Sequence, residues 1–127
     1  MQVGGLTWLG TRTDRLDEMV EFAQRLLGLQ PHRREEGVVM FQLDDGSLFE
    51  IFAPNVRAGG HPETGVVAGF HVSDVAGARA ELAAAGVEVS ELFTSGPGAW
   101  TYFRAPDGNL YELNGPGSGV AGEGSPP

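Results

Sequence analysis

No cysteine occurs in the 127 residues, which excludes disulfides, thiolate nucleophiles and cysteine-held metal centres together. Long apolar runs are missing too: nothing approaches the roughly 18 to 20 residues that a membrane span needs. Bases are scarce, with eight Lys and Arg against seventeen Asp and Glu and a net charge of −9. Nucleic acids and anionic membrane surfaces are bound by cations that displace counterions, so neither is an expected partner, and a charged partner is expected to be cationic. The opening MQVGGLTWLG lacks the basic region and apolar stretch of a secretory leader, which makes the cytoplasm the expected location. No serine elbow or nucleophilic triad is visible. The glycine-rich end GPGSGVAGEGSPP lacks the Lys-Ser/Thr and helix of a phosphate loop, and reads as a flexible tail over 115–127.

What is present is ordinary in amount and repeated in pattern. Hydrophobic residues make up 41% and charged residues 20% of the chain, enough to bury one core without staples. The stretch DDGSLFEIF, Asp44 to Phe52, returns as PDGNLYELN, Pro106 to Asn114. The alignment sets Gly46 with Gly108, Leu48 with Leu110, Phe49 with Tyr111 and Glu50 with Glu112. Upstream of the first copy, Leu16, Met19, Val20, Ala23, Leu26 and Leu27 recur at helical spacing; upstream of the second, Val75, Ala78, Leu82 and Ala85 do so. Each helix is expected to stop at a glycine, Gly28 or Gly86, in the left-handed position. Asp14 and Asp74 stand where a side-chain oxygen accepts from a helix's first free N–H groups.

A strand precedes each helix, over GLTWLGTRT and GVVAGFHVS, and three short strands follow it. These fall at Leu29 to Glu35, Val38 to Leu43 and Leu48 to Phe52, and again at Val87 to Phe93, Trp100 to Arg104 and Leu110 to Leu113. The DDG and PDG turns join the last two strands of each set, with glycine supplying positive φ. The expected class is α+β, with the unit βαβββ written twice. One domain spans 1–114: a module over about 3–53, a linker over 54–64 and a module over about 65–114.

A doubled βαβββ unit, with LLGLQ closing the first helix and FRAPDGNLYEL closing the second module, resembles the vicinal oxygen chelate superfamily of glyoxalase, bleomycin-resistance and extradiol-dioxygenase proteins. The most specific piece is Pro106-Asp107-Gly108-Asn109 followed by Glu112. The resemblance implies a curved eight-stranded mixed sheet, a cup with the helices on its outer face, and usually a homodimer. Metal-dependent members hold one divalent ion with one side chain from the first and one from the last strand of each module. The last-strand positions match Glu50 and Glu112. The first-strand positions match Trp8 and Val67, and a register slip of one residue would put Thr7 or Val66 there; none of these is a usual ligand. Two carboxylates hold Mg²⁺ or Ca²⁺ weakly with water completing the shell, so the ligand set is incomplete and no cofactor is expected.

Alternation along a strand groups Leu48, Glu50 and Phe52 on one face, and Leu110, Glu112 and Asn114 on another. The opposite parity, Phe49 with Ile51 and Tyr111 with Leu113, is suited to lie under the helices. His71 and Arg12 lie four residues beyond Val67 and Trp8, again facing the cup, while Arg104 precedes the PDG turn. Either arginine suits a glutamate or an anionic ligand. Trp8, Phe52, Trp100 and Tyr102 are the candidate aromatic walls, with the core as their other role. His32 and His61 adjoin prolines and are expected at the surface.

Beside a dimerising accessory protein with no ligand of its own, two functional readings stay open. One is a binding protein whose acidic, aromatic cup takes a small organic molecule, a cationic or aromatic drug or metabolite, without a tight metal. The other is an enzyme: a lyase, isomerase or dioxygenase relative in which Glu50 and Glu112 serve as metal ligands or as a general base.

Overall fold

Helical periodicity framed by alternating runs, met twice along the chain, produces the same order of elements twice. In the computed structural model, which describes residues 1–56 and 66–117, the first set is β1 (Val3–Arg12), α1 (Leu16–Arg25), β2 (Pro31–Glu35), β3 (Val38–Gln42) and β4 (Leu48–Phe52). The second is β5 (Val66–Val72), α2 (Val75–Ala84), β6 (Phe93–Ser95), β7 (Gly98–Arg104) and β8 (Leu110–Pro116). In both, the first and last strands pair parallel, β1 with β4 and β5 with β8, and the remaining pairs are antiparallel. The strand order is β2-β3-β4-β1-β5-β8-β7-β6, an eight-stranded mixed sheet of the α+β class. The chain resolves into two units, Thr7–Val67 and Met1–Leu6 with Ala68–Pro127, called the first and second halves below. Among the described residues no helix is long and apolar enough to cross a membrane.

Each half buries one helix face against one face of its strands. Val20 and Ala23 of α1 meet Val39, Phe41 and Ile51, with Leu16, Met19, Leu29 and Phe49 packed around them. Val75 and Ala78 of α2 meet Val72, Ala99 and Leu113, with Phe70, Leu82 and Phe103 around them. Ile51, Phe49 and Leu113 therefore lie under the helices, as their parity requires. Tyr111 joins that side by stacking on Phe70 and Phe103, with ring centroids 6.0 and 5.6 Å apart.

The stop of α2 falls at Gly86 as expected, whereas α1 ends at Arg25, short of Gly28, although both glycines take the left-handed conformation. Gly28 and Gly86 have φ of 72° and 86°. After α2 the Val87 and Gly86 amides donate to Leu82 and Ala83, the paired bonds that satisfy a helix's last carbonyls. At the other end Asp74 caps α2, its carboxylate accepting from the Gly77 N–H at 3.2 Å. Asp14 does not cap α1: the helix starts beyond Arg15 with no side-chain cap. The chain there is tied by Thr13, whose amide donates to the Phe52 carbonyl and whose hydroxyl accepts from the Arg15 amide. Leu26 and Leu27 leave the buried stripe because α1 ends at Arg25, and they stand 69% and 54% exposed.

Several strand boundaries also move: β2 begins at Pro31 rather than Leu29, β3 ends at Gln42 rather than Leu43, and β7 begins at Gly98 rather than Trp100. The run Val87 to Phe93 does not form a strand; it makes one bridge, Val89 to Phe103, and β6 begins at Phe93. Two backbone bonds flank that bridge, from the Ser90 amide to the Tyr102 carbonyl and from the Arg104 amide to the Glu88 carbonyl, and side chains add to them. Ser90 Oγ accepts the Tyr102 amide at 2.9 Å, and Arg79 Nε donates to the Ser90 carbonyl at 2.6 Å. At the far end β8 runs past Leu113 to Pro116, so that Gly115 and Pro116, expected to begin a flexible tail, belong to the sheet. Gly115 makes this possible, since a β-carbon on it would lie 2.0 Å from the Val72 carbonyl oxygen. Most of the 54–64 linker, with His61, and most of the tail lie outside the described residues.

Candidate functional site

The face of each half turned away from its helix carries the candidate residues. In the first half, parallel pairing puts Gly10 of β1 opposite Glu50 of β4, and Arg12 opposite Phe52. Two residues before Gly10, Trp8 projects to the same face, and its Nε1 donates to Glu50 Oε1 at 2.9 Å. Both ends of this bond are buried, Trp8 being 9% and Glu50 6% exposed. A carboxylate so far removed from water needs donors, and an indole N–H has no competing acceptor role. Arg12 lies 4.8 Å from the centroid of Phe52. Its Nη1 donates to the carbonyls of Ala53, Pro54 and Val56 at 2.8, 2.8 and 3.0 Å, which ties down the chain leaving β4.

In the second half the glutamate is again opposite a glycine, Glu112 pairing with Gly69 of β5 on one side and with Tyr102 of β7 on the other. Glu112 is 4% exposed and accepts from Asn114 Nδ2 at 2.8 Å. That donor comes from the glutamate's own strand, where Trp8 reaches Glu50 from the neighbouring one. Phe93 stacks on Trp100 with centroids 5.9 Å apart and tilts against Tyr102 at 6.2 Å, giving this face an aromatic corner. His71, half-buried, pairs with Asn114, and a β-carbon on Gly4 or Gly115 would fall 3.7 or 3.5 Å from its ring.

The structure therefore gathers Trp8, Arg12, Glu50 and Phe52 on one half, and His71, Trp100, Tyr102 and Glu112 on the other. Val67 is 1% exposed in β5. Arg104 is exposed and its Nη1 donates to the Gly108 carbonyl at 3.1 Å, in the turn before β8. His32 is exposed on β2. Sequence reasoning did not single out Phe93, or the two glycines Gly10 and Gly69 that face the glutamates. The glycines were detectable, because each stands two residues beyond the first-strand position of its module.

The acidic turns lie apart from these faces. Asp107 accepts the Asn109 amide at 2.9 Å and the Tyr111 phenol at 2.8 Å, bonds that hold its carboxyl below the usual range and raise the tyrosine. Asp45 is lowered likewise, by the Ser47 hydroxyl and then the Ser47 amide.

Residues 5–113 match the model of the Glyoxalase/Bleomycin resistance protein/Dioxygenase superfamily. The chain belongs to that superfamily. Among solved structures, a Streptomyces coelicolor methylmalonyl-CoA epimerase in complex with 2-nitronate-propionyl-CoA is 23% identical, with 89% of this chain and 97% of that one covered at a TM-score of 0.67. Methylmalonyl-CoA epimerase from Mycobacterium tuberculosis is 20% identical over 94% of this chain and 93% of its own, with a TM-score of 0.68. A superfamily member from Vibrio splendidus 12B01 is 16% identical over 89% and 98%, at 0.64. At these identities the likeness is one of fold. Comparison with curated protein sequences finds no match.

Proposed function

We propose that this superfamily member binds a small organic molecule on the helix-free faces of its strands, and does so without a tightly held catalytic metal. The observation that carries the reading is the Trp8 to Glu50 hydrogen bond at 2.9 Å. The first-strand residue beside Glu50 is an indole that donates to the carboxylate and has no lone pair to offer a metal, so that position adds no ligand to the glutamate. The described residues hold no group of three or more His, Cys, Asp or Glu arranged for a cation, and the donor set of either half does not fit a tight Zn, Ni or Fe site. Buried carboxylates beside aromatic rings suit an organic cation or a planar aromatic, by charge and by stacking.

Metal analysis tests this directly. Protein purified without added metal is expected to carry no stoichiometric transition metal, and a chelator is expected to leave Tm unchanged. One tightly held ion per chain, lost together with stability on Glu50→Gln or Glu112→Gln, would overturn the reading. A thermal-shift screen then sets cationic aromatics against CoA thioesters; a ligand at 100 times its Kd stabilises by about 2.7 kcal/mol.

The likeness to methylmalonyl-CoA epimerases supports a second reading, an enzyme in which Glu50 or Glu112 moves a proton as general base. It predicts that a CoA thioester raises Tm and exchanges its α-proton with deuterated water. Exchange that persists in the Glu50→Gln, Glu112→Gln double variant rejects it. A homodimer belongs to this proposal, and sedimentation equilibrium decides it.

A further inference from the structure

Gly10 is not required by backbone conformation, since its φ lies outside the positive range. It nonetheless sits inside a strand, where glycine is destabilising relative to alanine. The reason for it is the space it leaves. A β-carbon on Gly10 would lie 2.2 Å from Cη2 and 2.4 Å from Cζ2 of Trp8, and 3.1 Å from Cε1 of Phe52. The six-membered ring of the indole therefore rests across the bare backbone of its own strand, next to Phe52. That placement decides the direction of Nε1, because Gly10 is the register partner of Glu50 and a ring resting over it has Glu50 beside it. The result is the bond to Oε1 at 2.9 Å.

We infer that Gly10 is a positioning residue: it seats the Trp8 indole, and through the indole it fixes the orientation of the Glu50 carboxylate. Any side chain at position 10 meets atoms of a rigid bicyclic ring rather than the far end of a flexible chain, so the indole must leave its seat. Its N–H leaves with it, and the buried carboxylate loses that donor. For recognition the consequence is specificity, since a carboxylate locked in one direction accepts only ligands whose donor meets it there. That last step rests on the small-molecule reading above; the seating does not.

The test uses the full chain labelled with ¹⁵N, following the two indole N–H resonances, with Trp100→Phe assigning them. In the parent the Trp8 N–H is expected to exchange slowly with solvent. Gly10→Ala is expected to speed that exchange at least tenfold, to shift the resonance in the same direction as Glu50→Gln does, and to lower Tm by roughly 5–15 °C. In a Trp8→Leu background, where no ring occupies the seat, adding Gly10→Ala is expected to cost less than about 3 °C. A Gly10→Ala protein that loses stability while its Trp8 N–H stays protected and unshifted would refute the inference. So would an alanine that costs as much in the Trp8→Leu background as in the parent, a comparison that stands even where Gly10→Ala alone fails to fold. Thermal shift by a cationic aromatic probe is read separately, so its absence counts against the binding reading and not against the seat.

Discussion

Replacing Trp8 with phenylalanine keeps a ring and removes the N–H that Glu50 accepts. The magnitude has two parts. A hydrogen bond to a charged group is worth about 1.5–3 kcal/mol, and its loss falls on a carboxylate that is 6% exposed. Shrinking an indole to a phenyl in a 9% exposed position takes away about two methylene equivalents, a further 1–2 kcal/mol or so. Together these give about 3–4 kcal/mol, or roughly 10–15 °C in Tm for a chain of this length. Glu50→Gln retains an acceptor oxygen and the side-chain volume, and is expected to cost about 1 kcal/mol. Urea unfolding of both single variants and the double variant closes the cycle. A favourable coupling of about 1–2 kcal/mol is expected, because once Glu50 is neutral the missing donor matters less. Coupling below about 0.3 kcal/mol would refute the reasoning: the bond would then be a contact of position without energetic consequence.

Asp74→Ala should destabilise by about 1 kcal/mol by stripping the α2 cap, whereas Asp14→Ala should stay within about 0.5 kcal/mol because that carboxylate caps nothing; thermal melts of the two compare directly. Asp107 has a folded pKa below its unfolded value, so its contribution to stability is full above the ordinary carboxyl range and disappears as pH falls through the folded value. Tyr111→Phe removes one of the causes, and a Tm profile from about pH 7 to about pH 2.5 should fall less steeply in this variant than in the parent. Gly108→Ala should cost about 1–2 kcal/mol through strain alone, since φ is 85° and open space surrounds the added carbon. Gly108→Asn should recover part of the loss, as measured by denaturant midpoint.

The doubled unit was legible because its signals are local. Glycine at the helix stops, glycine in the two hairpin turns and alternation around Glu50 and Glu112 each act within a few residues. The misses share the opposite character. Asp14 has the right chemistry for a cap, but Thr13 is tethered to Phe52 across the sheet and the helix starts later. Val87 to Phe93 alternates like a strand, yet its backbone makes two bonds around a single bridge, and Ser90, Arg79 and Thr101 add side-chain bonds that no periodicity announces. At the site, the glutamates could be read from the repeat, and Trp8 opposite Glu50 could be placed by counting. That the indole donates to the glutamate depends on which way a ring turns, and that depends on an empty position two residues on.

The parallel pairing of β1 with β4 has a consequence in time. β3 and β4 are neighbours along the chain and close through a short turn, while Trp8 and Glu50 stand 42 residues apart. Contacts between distant residues cost more loop entropy and form later than those of a hairpin. Glu50 is thus carried on a piece that assembles early, and its donor arrives with the strand that closes the half. In reverse, any fluctuation that lets β1 peel from β4 wets the carboxylate while the hairpin beneath it is still intact, an order that amide exchange in β1 ahead of β3 would display.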